Sequence, residues 1–212
     1  MSKIEEIAQA VEGGKAKIIG GLVEEALAEG LDPVKILNEG MINTMSIVGE
    51  KFRVGEIFVP EMLVAARAMK KGVEVLKPRL AGQAGISVGK CIIGTVAGDL
   101  HDIGKNLVGM MIESAGFEVI DLGVDVSIDT FIEALKNNPD TNILALSALL
   151  TTTMPAMKST LEAVKASGLS GFKIVVGGAP ITQGYANEIG ADGWAPDAGS
   201  AAVVAKKLVS VA

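Results

Sequence analysis

The second half of the chain alternates short apolar runs with helical patterns, and this alternation constrains the fold more than any other feature. The strand candidates lie at residues 91–96, 117–122, 142–148, 173–176 and, more weakly, 192–195. The helical patterns lie near residues 105–115, 128–137, 154–167, 182–189 and 199–210. Continuously apolar runs are typical of parallel strands covered on both faces by helices. We therefore predict an α/β domain with a five-stranded, parallel, doubly wound sheet of the flavodoxin-like type.

The first part of the chain contains helical patterns only. They lie at residues 5–11 and 16–28, from the Asp32-Pro33 start signal to about residue 53, and from about residue 60 to residue 76. Pro78 is expected to end the fourth helix. Four helices with short connections are typical of a small bundle. We predict a helical bundle domain at residues 1–76, a linker containing glycine and proline at 77–89, and the sheet domain at 90–212.

The composition argues against two classes of partner. The 212 residues carry a net charge of -6 at pH 7 and no cluster of lysines and arginines, which disfavours nucleic-acid binding. No apolar stretch reaches the ~18 residues that cross a bilayer, and the N-terminus has no apolar signal core. We therefore expect a cytoplasmic protein with no membrane partner. The single cysteine, Cys91, lies in an apolar run and is expected in the core.

The single histidine of the chain, His101, lies in a loop directly after the first strand candidate. Imidazole binds a transition metal through one ring nitrogen while the other donates to a carboxylate, and Asp99 lies two residues upstream. Taken alone, a histidine beside a carboxylate is more often an ordinary hydrogen-bonded residue. Its position favours a site, because ligands of doubly wound sheets bind beyond the carboxyl ends of the strands.

Three short motifs follow different strand candidates, and together they carry a family resemblance. They are Asp99-x-His101-x-x-Gly104, Ser147-Ala148-Leu149 and Gly177-Gly178. In this order and spacing they resemble the cobalamin-binding domain shared by methionine synthase, B12-dependent mutases and the small corrinoid proteins of methyl-transfer systems. Segments 49–60 and 65–69 resemble the helical cap that accompanies this domain in the methyl-transfer branch.

The resemblance implies that His101 coordinates cobalt from the lower face of the corrin and displaces the cofactor's own benzimidazole base. Asp99 would then fix the orientation and the tautomer of the imidazole. In relatives a serine hydroxyl extends this pair, and the position six residues after Ser147 is here Thr153. We expect His101, Asp99 and Thr153 to form a hydrogen-bonded catalytic relay.

Further contacts are expected with the corrin ring and with the displaced nucleotide tail. The ring contacts are assigned to Asp102, Ile103 and Gly104, and the tail contacts to Ser147, Thr151, Gly177 and Gly178, with Leu149 as a further cofactor-binding residue. For the paired glycines, a strand-end turn is an equally good explanation. For apolar residues of the helical domain such as Phe58 and Met62, ordinary bundle core and contact with the upper corrin face both remain open.

The resemblance implies a corrinoid methyl carrier that is not itself an enzyme. It would accept a methyl group on cobalt from a substrate-specific methyltransferase, hold it as methylcobalamin, and deliver it to a second methyltransferase that uses tetrahydrofolate or coenzyme M. A reductive activator of cobalt(II) is a further expected partner. His101 is expected to leave the metal in its cobalt(I) state as the relay gains a proton. The sequence does not indicate which methyl donor is used.

Other functions remain open at this point. A B12-dependent sensor or regulator uses the same two domains, and an adenosyl group with a light response would identify it. A mutase subunit shares the binding domain. A flavodoxin-like signalling domain has the same sheet without a corrinoid, so absence of cobalt binding would favour it.

Overall fold

The computed structural model describes residues 1–80 and 87–210. It contains two compact units, one composed mainly of the N-terminal helices and one that holds the sheet. Within the described residues, none of the helices has the length and apolar character of a bilayer-spanning segment.

The N-terminal unit consists of four successive helices, as predicted. Its elements are α1 (Lys3–Glu12), α2 (Ile19–Ala28), α3 (Pro33–Lys35), a π-helical segment (Ile36–Ile42), α4 (Asn43–Arg53) and α5 (Val59–Leu80). The π-helical segment joins α3 and α4 into one continuous helix, because Ile36 and Asn43 at the junctions keep right-handed helical backbone angles. Asp32 caps this helix by accepting a hydrogen bond from the Val34 N–H at 3.2 Å.

The first two helices begin at residues other than those predicted, because local hydrogen bonds determine their starts. The Ser2 side chain accepts from the Glu5 N–H, and the Glu5 carboxylate accepts from the Ser2 N–H, so α1 starts earlier than predicted. The start of α2 lies three residues later than predicted, at Ile19. The preceding residues form a turn in which the Ile18 N–H donates to the Lys15 carbonyl.

The prediction that Pro78 ends the fourth helix is wrong, because α5 continues to Leu80. The missing N–H of Pro78 affects only the last turn, and Leu76 and Leu80 on either side of it are buried. The linker predicted at 77–89 therefore overlaps the end of α5. Residues 81–86 of that linker lie outside the described residues.

The second unit is built on a five-stranded sheet in which all neighbouring strands are parallel. Its strands are β1 (Gly89–Thr95), β2 (Phe117–Asp121), β3 (Thr141–Ser147), β4 (Lys173–Gly177) and β5 (Gly193–Trp194). Its helices are α6 (Ile103–Ser114), α7 (Ile128–Asn137), α8 (Met154–Ala166), α9 (Gln183–Ile189) and α10 (Ala198–Ser210). The spatial order is β2-β1-β3-β4-β5, which puts the topological switch point between β1 and β3. The predicted fold class is confirmed.

The core of this unit explains its apolar strands, and the register of the strands assembles the candidate site. Residues 143–146 of β3 are at most 5% exposed, and Phe131 of α7 is fully buried. The register pairs Thr95 with Ser147 and Ser147 with Gly177. The carboxyl ends of β1, β3 and β4 therefore lie side by side, and the three sequence motifs follow from these ends.

Candidate functional site

The loop between β1 and α6 presents His101 beyond the carboxyl end of β1. The His101 side chain is half exposed, whereas the side chain of Asp99 is fully buried. The Nδ1 atom of His101 lies 2.7 Å from Asp99 Oδ1, and the His101 backbone N–H donates to the same oxygen at 3.1 Å. A ring nitrogen that faces a carboxylate carries the proton, so Nε2 keeps its lone pair in the neutral imidazole. The ring therefore offers one nitrogen to a ligand.

The second oxygen of Asp99 is bound by the segment between β3 and α8. The Thr153 hydroxyl donates to Asp99 Oδ2 at 2.7 Å, and the Leu149 N–H donates to the same oxygen at 2.7 Å. Thr153 is itself buried. His101, Asp99 and Thr153 thus form a continuous hydrogen-bonded row in the order that the sequence suggested. Their service as a relay remains a prediction.

The electrostatics of Asp99 follow from these contacts. Burial by itself raises the pKa of the Asp99 carboxyl. The Leu149 N–H, the Thr153 hydroxyl and the two His101 donors outweigh burial, so the pKa of Asp99 lies well below its usual range. A negative charge therefore stays next to the Nδ1 atom of His101 at neutral pH.

The residues expected to contact a corrin ring are exposed. Leu100, in the loop that carries His101, is 73% exposed, and Ile103, the first residue of α6, is 85% exposed. A Cβ added at Gly104 would meet no atom within 4 Å, so packing within this chain does not require a glycine there. Asp102 accepts a hydrogen bond from the Asn106 side chain at 3.1 Å. The loop thus combines open space with apolar surface that a ligand can cover.

The residues expected to bind a nucleotide tail follow β3 and β4. Ser147, the last residue of β3, is partly buried, and Leu149 and Thr151 after it are exposed. The two glycines that follow differ in whether their surroundings leave room for a Cβ. A Cβ on Gly178 would lie 1.8 Å from the Ala148 carbonyl oxygen, and its φ of +126° disfavours other residues. A Cβ on Gly177 would lie 3.5 Å from its nearest neighbour, an ordinary contact. The strand-end turn explains Gly178 but leaves Gly177 available for a ligand role.

Two residues that fix the His101 loop were missed in the sequence. The Thr95 hydroxyl donates to the His101 carbonyl at 2.9 Å, and Asp125 Oδ1 accepts from the Gly98 N–H at 2.7 Å. Thr95 ends β1, and Asp125 lies in the loop between β2 and α7. Ligand sites in this fold lie beyond the carboxyl ends of the strands, so the position of Asp125 shortly after β2 is the sequence signal for this residue.

An ion pair between a buried lysine and a partly exposed aspartate, which was also missed, ties α6 to β2. The side chain of Lys105 is 2% exposed, and its Nζ lies 2.6 Å from Asp121 Oδ1. Lys105 Nζ also donates to the Asn106 side chain at 2.6 Å. Asp121 in turn accepts from the Gly123 N–H at 2.8 Å. The start of α6, directly after the His101 loop, is therefore anchored to the neighbouring strand.

The donor set suits a cobalt corrinoid. A corrin ring supplies the in-plane ligands of its metal, so a protein needs to add one axial ligand. A neutral imidazole with its second nitrogen held by a carboxylate is a good ligand of that kind. His101 provides this nitrogen, and the exposed side chains of Leu100 and Ile103 lie one residue before it and two residues after it in the chain.

Two family models match the chain. A model described as a B12 binding domain matches residues 89–203. A second model with the same description matches residues 3–77. The first therefore covers the sheet from β1 onward, and the second covers the helices from α1 into α5.

Relatives and solved structures agree with these matches. A corrinoid protein of Desulfitobacterium hafniense is 41% identical over 213 residues, covering 99% of this chain and 98% of the relative. Trimethylamine corrinoid protein 2 of Methanosarcina acetivorans is 49% identical over 172 residues, covering 79% of this chain and 78% of the relative. A chain in the crystal structure of the methanol:cobalamin methyltransferase complex of Methanosarcina barkeri superimposes with a TM-score of 0.87 at 27% identity, covering 99% of this chain and 80% of that chain. The chain therefore belongs to the family of corrinoid proteins and is a cobalamin-binding protein with a helical cap domain and an α/β binding domain.

Proposed function

We propose that this protein is a methyl carrier that takes a methyl group from a substrate-specific methyltransferase and delivers it to a second methyltransferase. The observation that carries this proposal is the half-exposed His101 imidazole, whose Nδ1 is held by a buried carboxylate and whose Nε2 is left for a metal. The bound corrinoid supplies a cobalt centre that accepts and releases a methyl group. The protein's part is to hold that centre and to set its axial ligation.

In this proposal His101 would hold the cobalt of the corrinoid through Nε2. Its Nε2 lone pair binds either the metal or a proton, since one lone pair cannot serve both. Proton uptake at Nε2 therefore competes with ligation. This competition couples the axial ligation of the metal to the proton concentration.

Asp99 and Thr153 set the orientation of His101 in this scheme. The Asp99 carboxylate keeps the ring proton on Nδ1 and thereby leaves the Nε2 lone pair for a ligand. The Thr153 hydroxyl donates to the other carboxylate oxygen and so fixes the plane of the Asp99 carboxylate. Removal of such a partner typically lowers metal affinity or activity about 10- to 100-fold.

The remaining residues of the site bind the organic part of the cofactor. Asp102, Ile103 and Gly104 contact the lower face of the ring, where Ile103 contributes apolar area that is exposed without a ligand. Contacts with the displaced nucleotide tail come from the ends of β3 and β4, through the residues Ser147, Leu149, Thr151, Gly177 and Gly178.

The partners in this proposal are two methyltransferases and an activator that reduces cobalt(II). The names of the relatives support a substrate-specific methyltransferase as partner, because they include a trimethylamine corrinoid protein and a dimethylamine corrinoid protein. The similarity to a chain of the methanol:cobalamin methyltransferase complex points to the same class of partner. The second methyltransferase would use tetrahydrofolate or coenzyme M.

A labelled methyl group tests the carrier role. The protein, loaded with hydroxocobalamin and chemically reduced, is mixed with radiolabelled trimethylamine, dimethylamine or methanol and the methyltransferase that acts on it. The proposal predicts about one label per protein with at least one donor, and transfer of that label onward when a tetrahydrofolate or coenzyme M methyltransferase is added. Free reduced cobalamin at the same concentration is the control. No labelling with any donor, or equal labelling of free cobalamin, contradicts the carrier role.

A further inference from the structure

The loop between β2 and α7 contains an aspartate in an unusual backbone conformation. Asp125 has a φ of +52°, and among the described residues it is the only one other than glycine with a positive φ. This left-handed region is unfavourable for residues with a Cβ, although aspartate and asparagine tolerate it better than most. A residue held in this conformation needs compensating contacts from its surroundings.

The compensating contacts of Asp125 are with the His101 loop. The Asp125 carboxylate accepts from the Gly98 N–H at 2.7 Å, and the Asp125 N–H donates to the Asp99 carbonyl at 2.9 Å. Asp125 therefore binds the backbone of two successive residues, at the N–H of Gly98 and at the carbonyl of Asp99. Asp99 is the residue whose side chain holds the His101 ring.

The path of the loop that contains Asp125 is already fixed by other hydrogen bonds. The Thr95 N–H donates to the Gly123 carbonyl at 3.0 Å, and the Val126 N–H donates to the Thr95 carbonyl at 2.9 Å. Val126 also forms a parallel bridge with Val96. These bonds connect the two segments without the Asp125 side chain. The bond from the Gly98 N–H to the Asp125 carboxylate is therefore an additional constraint on the His101 loop, beyond the backbone bonds that already join the two segments.

We propose that Asp125 is a positioning residue for His101. It fixes the backbone of Gly98 and Asp99, and through the Asp99 carboxylate it orients the imidazole toward the metal. The inference rests on the proposed function for the identity of the axial ligand. Asp125 itself touches neither the imidazole nor any atom that reacts.

Three substitutions separate the carboxylate from the backbone conformation. Asp125→Asn keeps an oxygen acceptor and tolerates a positive φ. Asp125→Ala loses the acceptor and keeps the conformational penalty, whereas Asp125→Gly loses the acceptor but relieves the penalty. Asp125→Gly should therefore unfold at a higher temperature than Asp125→Ala in the corrinoid-free protein.

Asp192 provides a matched control at the opposite edge of the sheet. Its N–H donates to the Ile174 carbonyl at 2.8 Å, and its carboxylate accepts from the Ile174 N–H at 2.8 Å. Asp192 therefore makes the same two kinds of bond as Asp125, both with a single residue near the amino ends of β4 and β5, and its carboxylate also lies 3.6 Å from Lys173 Nζ. Asp192→Ala should lower the unfolding temperature without changing ligation by His101.

The readout is the ratio of His101-ligated to unligated corrinoid in protein loaded with methylcobalamin. Absorption spectra recorded over a range of temperatures, so that both forms are populated, give this ratio. The ratio should fall roughly three- to tenfold in Asp125→Ala and Asp125→Gly, because one hydrogen bond to the loop is lost, and stay within about twofold in Asp125→Asn. Exchange of the Gly98 amide hydrogen with solvent, measured by NMR on the corrinoid-free protein, should accelerate in the same two variants.

Two results would overturn the inference. The carboxylate does not position His101 if Asp125→Gly keeps the ratio of the unaltered protein. The effect is one of general stability if Asp192→Ala lowers the ratio as much as Asp125→Ala does. A spectrum that does not respond to His101→Ala is a different result, because it removes the axial ligand assignment and with it the basis of both proposals.

Discussion

Asp99 holds more of the site together than any other single residue, because four hydrogen bonds reach its two buried oxygens. Its pKa in the folded protein is well below the value of ~3.9 expected in the unfolded chain. A lowered pKa stabilises the folded state at every pH above the unfolded value. This contribution is lost as the pH falls through the folded pKa.

Asp99→Asn should remove the part of the pH dependence of the free energy of unfolding that comes from this carboxyl. The free energy of unfolding of the unaltered protein should exceed that of the variant at pH 7, and the gap should shrink between about pH 5 and about pH 2. Urea unfolding of the corrinoid-free proteins at a series of pH values measures the gap. A gap that stays constant over this range would show that the Asp99 carboxylate is not stabilised by its donors.

Thr153 contributes through its hydroxyl, and the helix that follows it, α8, offers a matched control. Thr153→Val should lower the free energy of unfolding by about 1–3 kcal/mol, because Asp99 Oδ2 loses one of its two donors. It should also weaken ligation of cobalt by His101, whereas Thr153→Ser should restore ligation.

The control for Thr153 is Thr160, a fully buried residue one to two turns along α8. Its hydroxyl donates to the Ala156 carbonyl at 2.8 Å, away from Asp99. Thr160→Val should therefore leave the absorption spectrum of the bound corrinoid unchanged. Equal spectral changes in Thr153→Val and Thr160→Val would remove the specific role of the Thr153 hydroxyl.

At the scale of elements, the two successive glycines at the end of β4 should respond differently to substitution. Gly178→Ala should lower the free energy of unfolding by about 3 kcal/mol or more, because its Cβ would overlap the Ala148 carbonyl at an unfavourable φ. Gly177→Ala should change stability by less than about 1 kcal/mol and should instead weaken corrinoid binding. Thermal unfolding without corrinoid and a binding titration measure the two effects. Unchanged binding in Gly177→Ala would remove that residue from the tail site.

The anchor between α6 and β2 should respond unequally to loss of its two partners. Asp121→Ala leaves the buried Lys105 ammonium with the Asn106 oxygen as its remaining partner, at a cost of about 2–4 kcal/mol in the free energy of unfolding. Lys105→Met leaves a carboxylate that is 44% exposed and can be hydrated, so its cost should be about 1 kcal/mol. Denaturant unfolding of both variants tests this order, and a larger loss in Lys105→Met would contradict it.

The elements of the sheet unit were largely predictable, because buried parallel strands have continuously apolar sequences that alternate with helical patterns. The predicted limits of β1 to β4 lie within about two residues of the observed ones. Two features of the helical unit were not predictable. The π-helical segment Ile36–Ile42 has no distinct periodicity in a short window, and Pro78 is tolerated because of burial that its neighbours provide. Local patterns do not report such tertiary effects.

The site was predictable where its residues form short motifs and not where they pair over a distance. Asp99 and His101 are two positions apart, so their contact follows from spacing. Lys105 with Asp121 and Gly98 with Asp125 are 16 and 27 positions apart, and their contacts depend on the register of β1 and β2. Thr153 was found through the family resemblance, since a threonine 54 positions from Asp99 carries no local signal.

At the scale of the whole molecule, the family relationship extends over nearly the full chain. The two B12 binding models match the helical and the sheet parts separately, and the Desulfitobacterium hafniense relative covers 99% of the chain. The sheet unit alone contains His101, Asp99 and Thr153. In the proposed function, cobalt ligation by His101 is the property on which the function of the whole molecule would depend.

The absorption spectrum of the protein loaded with methylcobalamin tests this property most directly. The unaltered protein should give the spectrum of a corrinoid with an axial nitrogen ligand, and His101→Ala should give that of a corrinoid without one. Added imidazole should restore the first spectrum in the variant, because it supplies the missing nitrogen. Identical spectra for the two proteins, or no bound corrinoid in either, would contradict the assignment of His101 as the cobalt ligand.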